Sequence, residues 1–199
     1  MERLISKEEL DEIKEIKGKV RGLSMLGHAK FLLKEEGESG LRRIEQEIQK
    51  LGYDFHYNQI KKLKFYPLSL YCAELLAIQR IFNYGNGKFK TIGEFNSKNS
   101  IIVRLFMKYF VSLGSMVKQM PRFWQKYFTV GQMTVPEYNE KERFVIARLD
   151  NLKATPLFCE VTRGFSSGMC QMIVGAKGSC EEIKCMHRGD ECHEYLFKW

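Results

Sequence analysis

The C-terminal stretch, residues 156–199, decides the fold class and reads PLFCEVTRGFSSGMCQMIVGAKGSCEEIKCMHRGDECHEYLFKW. Pro156 is well suited to the first position of a helix, and the apolar spacing after it predicts a helix that reaches about Val174. Gly175 and Gly178 then end that helix. The tail predicts a hairpin, with one strand on each side of the turn Arg188-Gly189-Asp190.

The segment upstream of this helix changes from a helical to an alternating pattern. Apolar residues at 133–138 and 144–149 flank a polar turn and predict two strands. Before Gly131 the spacing predicts helices at 7–17, 23–35 and 39–51, after Pro67, over 88–113, and from Pro121 onward. The sequence therefore predicts an α+β fold, in which a helical N-terminal half precedes an antiparallel sheet in the order strand, strand, helix, strand, strand.

The length and composition fit one domain, because 199 residues with 44% hydrophobic and 28% charged residues are typical of a globular chain. We expect residues 1–199 to form a single ligand-binding domain, with a helical extension at 1–19, a helical part at 20–130 and a sheet part at 131–199. No apolar run approaches the roughly 20 residues that span a bilayer. The N-terminus also has no signal-peptide core, so we expect a soluble cytoplasmic protein.

The formal net charge of +8 is concentrated in residues 66–135, which carry +7 and about half of the aromatic residues. Such a segment could receive an acidic or aromatic ligand, an anionic membrane surface or single-stranded nucleic acid. It could equally consist of core helices with solvated Lys and Arg on their outer faces. Composition alone leaves these alternatives open.

Five of the six cysteines fall in the last 41 residues, which in a reducing compartment favours a local metal site. Cys185 and Cys192 flank the predicted turn, Cys159 begins the preceding helix, and Glu182 lies on the first strand of the hairpin. Because residues 182 and 185 point to opposite faces of a regular strand, convergence needs a bulge or bend.

The spacing also permits other interpretations of the same cluster. Cys180, His187 and His193 could each replace one ligand. A disulfide between Cys185 and Cys192 is a rival, and so is simple packing of the thiols in the core.

The same stretch resembles the C-terminal part of 4-vinyl reductase (vinyl-4-reductase) domains, and is especially similar to the effector-binding domains of phenol-sensing bacterial activators. Those domains carry a cysteine before a helix with a Gly-aromatic-x-Ser-Gly segment, then Glu-x-x-Cys and a last cysteine after a turn. Here the matching residues are Cys159, residues 164–168, Glu182 with Cys185, and Cys192. The last interval is one residue shorter than in the phenol sensors. Residues 65–68 and 123–131 resemble bacterial stand-alone relatives of unassigned function.

The resemblance implies that helices and sheet enclose an apolar pocket, often in a homodimer, and that a structural zinc is held by Cys159, Glu182, Cys185 and Cys192. We therefore expect a sensor or regulatory domain that binds a small apolar, aromatic or acyl ligand and reports through its dimer or a regulatory partner. The expected pocket residues are Tyr66, Tyr71, Arg104, Phe106, Tyr109, Phe110, Trp124 and Tyr127.

Two alternative functions remain open at this point. The first is an enzyme or accessory protein that acts on a tetrapyrrole or hydrocarbon, although the sequence shows no nucleotide loop, Ser-His-Asp order or paired acidic motif that would assign catalytic residues. The second is a basic adaptor for nucleic acid or a membrane. The resemblance extends distantly to haem-based sensors, but their Tyr-x-Ser-x-Arg motif is absent, and His28 is expected to be a core or exposed histidine.

Overall fold

A computed structural model describes residues 4–109 and 113–199, with the side chains of residues 106–113 outside the description. The predicted α+β class and the order of its second half are confirmed. The elements in chain order are α1 (Lys7–Lys14), β1 (Lys19–Arg21), α2 (Gly22–Lys50), β2 (Phe65–Pro67), α3 (Leu68–Phe82), α4 (Asn86–Asn99), α5 (Ile101–Tyr109), α6 (Leu113–Tyr127), β3 (Gln132–Asn139), β4 (Phe144–Asp150), α7 (Pro156–Val174), β5 (Ser179–Lys184) and β6 (His193–Lys198).

The four C-terminal strands form one antiparallel sheet in the order β3-β4-β6-β5. The helix α7 connects β4 to β5 and packs on the sheet. A second sheet pairs β1 with β2 and was not predicted, because strands of three residues are too short to show alternation.

The predicted N-terminal capping box is present, since the Ser6 hydroxyl accepts from the Glu9 amide and the Glu9 carboxylate accepts from the Ser6 amide. The two helices predicted over 23–51 form one element that is interrupted at Gly37, whose φ of 67° and ψ of −173° are not helical. Glycine adopts this conformation without the penalty that a Cβ would bring.

Two further helix boundaries differ from the prediction. The expected helix over 88–113 is broken at Ser100, which has an extended backbone and accepts from the Val103 amide through its hydroxyl, so that it begins α5. Pro121 was expected to start a helix but lies inside α6. The buried face of α6 continues across it, with Val117 on one side and Trp124 on the other.

Helices α4 and α7 touch backbone to backbone. A Cβ added to Gly93 would lie 2.1 Å from the Val161 carbonyl oxygen, and one added to Gly164 would lie 1.9 Å from the Lys90 carbonyl oxygen. Both distances are far below van der Waals contact, so only glycine permits this approach. The crossing fixes α7 between α4 and the sheet.

None of the helices in residues 4–109 and 113–199 is long and apolar enough to cross a membrane.

The substitution Gly93→Ala should lower the free energy of unfolding by about 2 kcal/mol or more, because the new methyl group forces the two helices apart. Gly87→Ala is the matched control on the same helix, since a Cβ there meets nothing within 4 Å. Its expected effect is neutral to stabilising by up to about 1 kcal/mol. Urea unfolding of both variants measures the difference, and equal stabilities would contradict the tight crossing.

Candidate functional site

A cavity of about 330 Å³ lies between the sheet and the helices α2, α4, α6 and α7. Its floor is the inner face of the sheet, where Val145 and Ala147 of β4 lie beside Tyr195 and Phe197 of β6. These residues alternate along their strands and therefore share one face.

The walls of the cavity come from two helices that face each other. Val161, Phe165 and Met169 recur every four residues along α7, and α6 contributes Trp124 and Tyr127. The rings of Tyr127 and Phe165 meet edge to face, with centroids 5.5 Å apart. This arrangement offers an apolar and largely aromatic surface to a ligand.

Most polar groups around the cavity bond to one another. The Tyr127 hydroxyl lies 2.5 Å from the Ser100 hydroxyl, and the Cys170 thiol donates to the Lys198 carbonyl at 3.7 Å. Burial raises the pKa of Cys170 to about 11 and raises the pKa of Tyr127, so both groups are neutral at physiological pH. The exceptions are Asn96 Oδ1 and the Tyr195 hydroxyl, which are buried without a hydrogen-bond partner in the described structure.

The mouth of the cavity is marked by lining residues that are exposed to solvent. Lys30 and Leu33 reach it from α2, Lys62 from the segment before β2, and Asn99 from the end of α4. Cations and an aliphatic side chain therefore surround the opening.

The structure brings only part of the predicted pocket together. Tyr71, Trp124 and Tyr127 line the cavity. Tyr66 does not, because its hydroxyl accepts from the Lys61 amide at 2.9 Å. Arg104 is exposed outside the cavity. The side chains of Phe106, Tyr109 and Phe110 lie outside the described residues, and a ligand role for any of these residues stays a prediction.

The residues that the sequence analysis missed are mainly those of α7 and the methionines of α6. Phe165 and Met169 follow Val161 at a spacing of four, a helical stripe that the sequence displays plainly. Met116 and Met120 repeat that spacing on α6.

A buried polar network lies behind the wall of the cavity. His28 Nδ1 lies 3.0 Å from Glu74 Oε2, and the Tyr57 hydroxyl donates to Glu74 Oε1 at 2.8 Å. The Tyr71 hydroxyl lies 3.3 Å from His28 Nε2. Burial and the Glu74 carboxylate raise the pKa values of Tyr57 and Tyr71 well above the ordinary value, so both hydroxyls remain neutral. His28 is thus a satisfied core residue, as expected.

A second cluster joins the start of α7 to the C-terminal hairpin. Ligand-type atoms of Cys159, Glu182, Cys185 and His193 all lie within 4.8 Å of one another. The pairing of β5 with β6 shifts register between Glu182 and Lys184, which supplies the irregularity that the sequence required.

The groups of this cluster bond to each other directly. His193 Nδ1 lies 2.9 Å from Glu182 Oε1, and the thiol of Cys185 donates to Cys159 Sγ at 3.9 Å. Burial, followed by the Glu182 carboxylate, raises the pKa of Cys159. Cys192 points elsewhere, and its thiol lies 3.9 Å from Glu194 Oε1.

Neither a protein-family model nor a curated protein matches the sequence. Solved structures do match the fold. An H-NOX protein from S. oneidensis in the Fe(II)NO ligation state aligns with a TM-score of 0.65 and 13% identity, over 89% of this chain and 98% of the other. An H-NOX domain from Shewanella oneidensis in the Fe(II)CO ligation state aligns with a TM-score of 0.66 and 13% identity, over 89% of this chain and 97% of the other. A structure whose subject is haem redox potential and porphyrin distortion aligns with a TM-score of 0.62 and 12% identity, over 90% of this chain and 99% of the other.

The chain has the H-NOX fold.

The resemblance to 4-vinyl reductase domains is therefore wrong, because the H-NOX structures account for the chain along almost its whole length. The motif that suggested it has a packing explanation. Gly164 and Gly168 are the residues of α7 that admit the backbone of α4 and the hydroxyl of Ser97. Any helix crossed this closely requires small residues at this spacing, so the pattern does not identify a family.

The structural zinc that this resemblance implied is also wrong. The solved structures that share the H-NOX fold are named by iron ligation states and by haem. Cys192 does not join Cys159, Glu182 and Cys185, whose polar atoms are already satisfied within their own cluster. Assignment of these residues as metal ligands stays a prediction from the sequence.

The residues of the cavity do not fit a haem. Proteins hold haem iron through His, a Cys thiolate, Tyr, or Met together with His. The four histidines of the sequence are His28, His56, His187 and His193, and none lines the cavity as described. The Tyr71 and Tyr127 hydroxyls and the Cys170 thiol, which line the cavity, each lie within hydrogen-bond distance of another protein group. Among the residues that the structure describes, the cavity of this H-NOX fold therefore offers no histidine to an iron.

The protein should therefore bind no stoichiometric haem. Protein purified from cells supplied with iron and a haem precursor should show no Soret band in the protein fraction, whereas the H-NOX protein from S. oneidensis, prepared in parallel, serves as the positive control. One equivalent of haem by pyridine haemochrome assay would contradict the donor-set argument.

The substitution Glu74→Ala should lower the free energy of unfolding by about 3–5 kcal/mol, because it leaves His28 and the Tyr57 hydroxyl buried without their partner. Glu94→Ala is the control, since its 4.0 Å pair with Lys90 lies at the surface and contributes about 0–1 kcal/mol. Denaturant unfolding separates the two, and a small loss for Glu74→Ala would mean that the network is not rigidly buried.

Proposed function

We propose that the protein is a sensor-type domain that binds a small apolar molecule, with an aromatic or acyl body, in the cavity between α7, α6 and the sheet. The observation that carries the proposal is the cavity itself, which has a volume of about 330 Å³ and mainly apolar walls and is lined in part by solvent-exposed residues. Ligand pockets of soluble proteins have this size and this character, with a few placed polar groups.

The lining suits ligands of varied shape. Met116, Met120 and Met169 are flexible and polarizable, and such side chains adapt to different apolar surfaces. Asn96 lines the cavity and its Oδ1 is buried without a partner in the described structure, so a donor group on the ligand would be stabilised beside it. We therefore expect a mainly apolar ligand that carries at most one or two polar atoms.

Binding is favoured over catalysis by the arrangement of the acid–base groups. His28 and Glu74 bond to each other and to two tyrosines, away from the open space of the cavity. An enzyme that acts on a hydrocarbon or tetrapyrrole would need such groups directed at its substrate.

The output of binding follows from the position of the cavity. A ligand would press on α7, which is locked to α4 at Gly93, so a change in the cavity would be passed to the outer helices. That this change is reported through a homodimer or a regulatory partner stays a prediction.

The substitution Ala147→Phe should abolish binding, because the new ring rises from the floor of the cavity and occupies the space of the ligand. Binding of the uncharged fluorophore N-phenyl-1-naphthylamine measures this, and its dissociation constant should rise on the order of tenfold or more, which corresponds to about 1.4 kcal/mol. Ala176→Phe is the matched control, since Ala176 is exposed beyond the end of α7. Equal binding by both variants would contradict the cavity as the binding site.

A further inference from the structure

The surface around the mouth of the cavity combines exposed aliphatic and basic residues. We define the mouth surface as residues 61–64, which read KKLK, together with residues 98–105 at the junction of α4 and α5. Lys62 and Asn99, one from each segment, both line the mouth of the cavity.

The two segments of the mouth surface meet through the start of α2. The Leu23 amide donates to the Lys62 carbonyl oxygen at 3.0 Å, which holds residues 61–64 against α2. The Leu23 side chain packs against the small cluster that contains Val103 of α5. Leu23 therefore contacts residues 61–64 and the cluster to which α5 contributes Val103.

Three large aliphatic side chains on this surface are exposed without cover. Leu63 is 68% exposed, Ile101 58% and Leu105 49%, and these are the three highest values for large hydrophobic residues in the described part of the chain. Ile101 and Leu105 lie four residues apart and share one side of α5. Exposed apolar side chains that gather in one place indicate an interaction surface.

The charges of the mouth surface have one sign. Lys61, Lys64 and Lys98 are exposed, and none of them forms an ion pair among the described residues. No Asp or Glu occurs in residues 55–73 or 95–136 of the sequence. The surface thus presents unneutralised cations around its aliphatic side chains.

We propose that the mouth surface docks onto an anionic lipid bilayer, so that the cavity opens toward the membrane from which an apolar ligand partitions. This inference rests on the proposed function. Aliphatic residues that enter the interface and Lys or Arg that meet acidic headgroups are the two forces that bind peripheral proteins to membranes. The mouth surface supplies both beside an opening into an apolar cavity.

Two other occupants fit the observations less well. Single-stranded nucleic acid is bound by exposed aromatic rings that stack on bases, whereas the exposed residues here are aliphatic. A second copy of the chain in a symmetric dimer would place two positive surfaces face to face. A partner with an acidic surface and an apolar interior matches both the positive charge and the exposed aliphatic side chains of the mouth surface.

The test is co-sedimentation of the full chain with vesicles made of equal parts phosphatidylcholine and phosphatidylserine, compared with pure phosphatidylcholine. The charge variant Lys61→Gln, Lys64→Gln, Lys98→Gln should reduce the partition coefficient about 100-fold, since each neutralised lysine costs about fivefold. Its matched control is Lys7→Gln, Lys14→Gln, Lys177→Gln, which removes the same charge from exposed positions elsewhere and should bind nearly as the wild type does.

The aliphatic contribution is tested by the double variant Leu63→Ser, Ile101→Ser. It should lose vesicle binding while its circular dichroism spectrum and unfolding midpoint match those of the wild type. Ile183→Ser is the control, because Ile183 is 42% exposed on β5, outside the mouth surface.

The same samples separate this proposal from the proposed function. Ala147→Phe should still bind vesicles but not N-phenyl-1-naphthylamine, whereas the charge variant should bind the fluorophore but not the vesicles. Vesicle binding that is equal for the charge variant and its control would overturn the docking proposal. The docking proposal would also be overturned if the wild type bound no vesicles but bound a single-stranded oligonucleotide. The same holds if it bound no vesicles and formed a dimer that the double variant did not form.

Discussion

The rest of the structure depends on the contact between α4 and α7. Gly93 and Gly164 let the two backbones touch, and Gly168 admits the Ser97 hydroxyl beside them. This contact holds α7 at a fixed height above the sheet. The space that remains between α7, α6 and the strands is the cavity. The same helix thus fixes the packing of the domain with one side and offers Val161, Phe165 and Met169 to the cavity with another.

The cavity shows how one fold can carry different chemistry. The H-NOX fold brings together helices and a sheet around an internal space, and solved proteins with this fold are named by their iron ligation states. In the part of the present chain that the structure describes, no histidine lines the cavity, whose lining is mainly Met, aliphatic and aromatic side chains. Fold likeness therefore fixes the architecture, and the side chains decide what it can hold.

The sequence was most informative where periodicity was long and capped. The helix Pro156–Val174 and the Ser6–Glu9 capping box were predicted as they occur, because each rests on local signals. The β1–β2 pair could not be predicted, since its stability comes from neighbours distant in sequence. At the site, the need for an irregular strand near Glu182 was recognised. His193 was one of three residues that could replace a ligand, and the spacing did not select it, because adjacent residues of a strand differ only in the face they occupy, and β6 places His193 toward Cys159.

The burial of the cysteines has a chemical consequence. All six are buried, and burial raises the pKa values of Cys72, Cys159, Cys170, Cys180 and Cys192. The thiolate is the form that reacts with alkylating reagents and peroxides, so the folded protein should resist both. Modification then requires local opening, so the rate at which each thiol is modified reports how often the segment that covers it opens. The modification rate of Cys170, at the wall of the cavity, would report local opening of α7, and that of Cys72 would report local opening of α3.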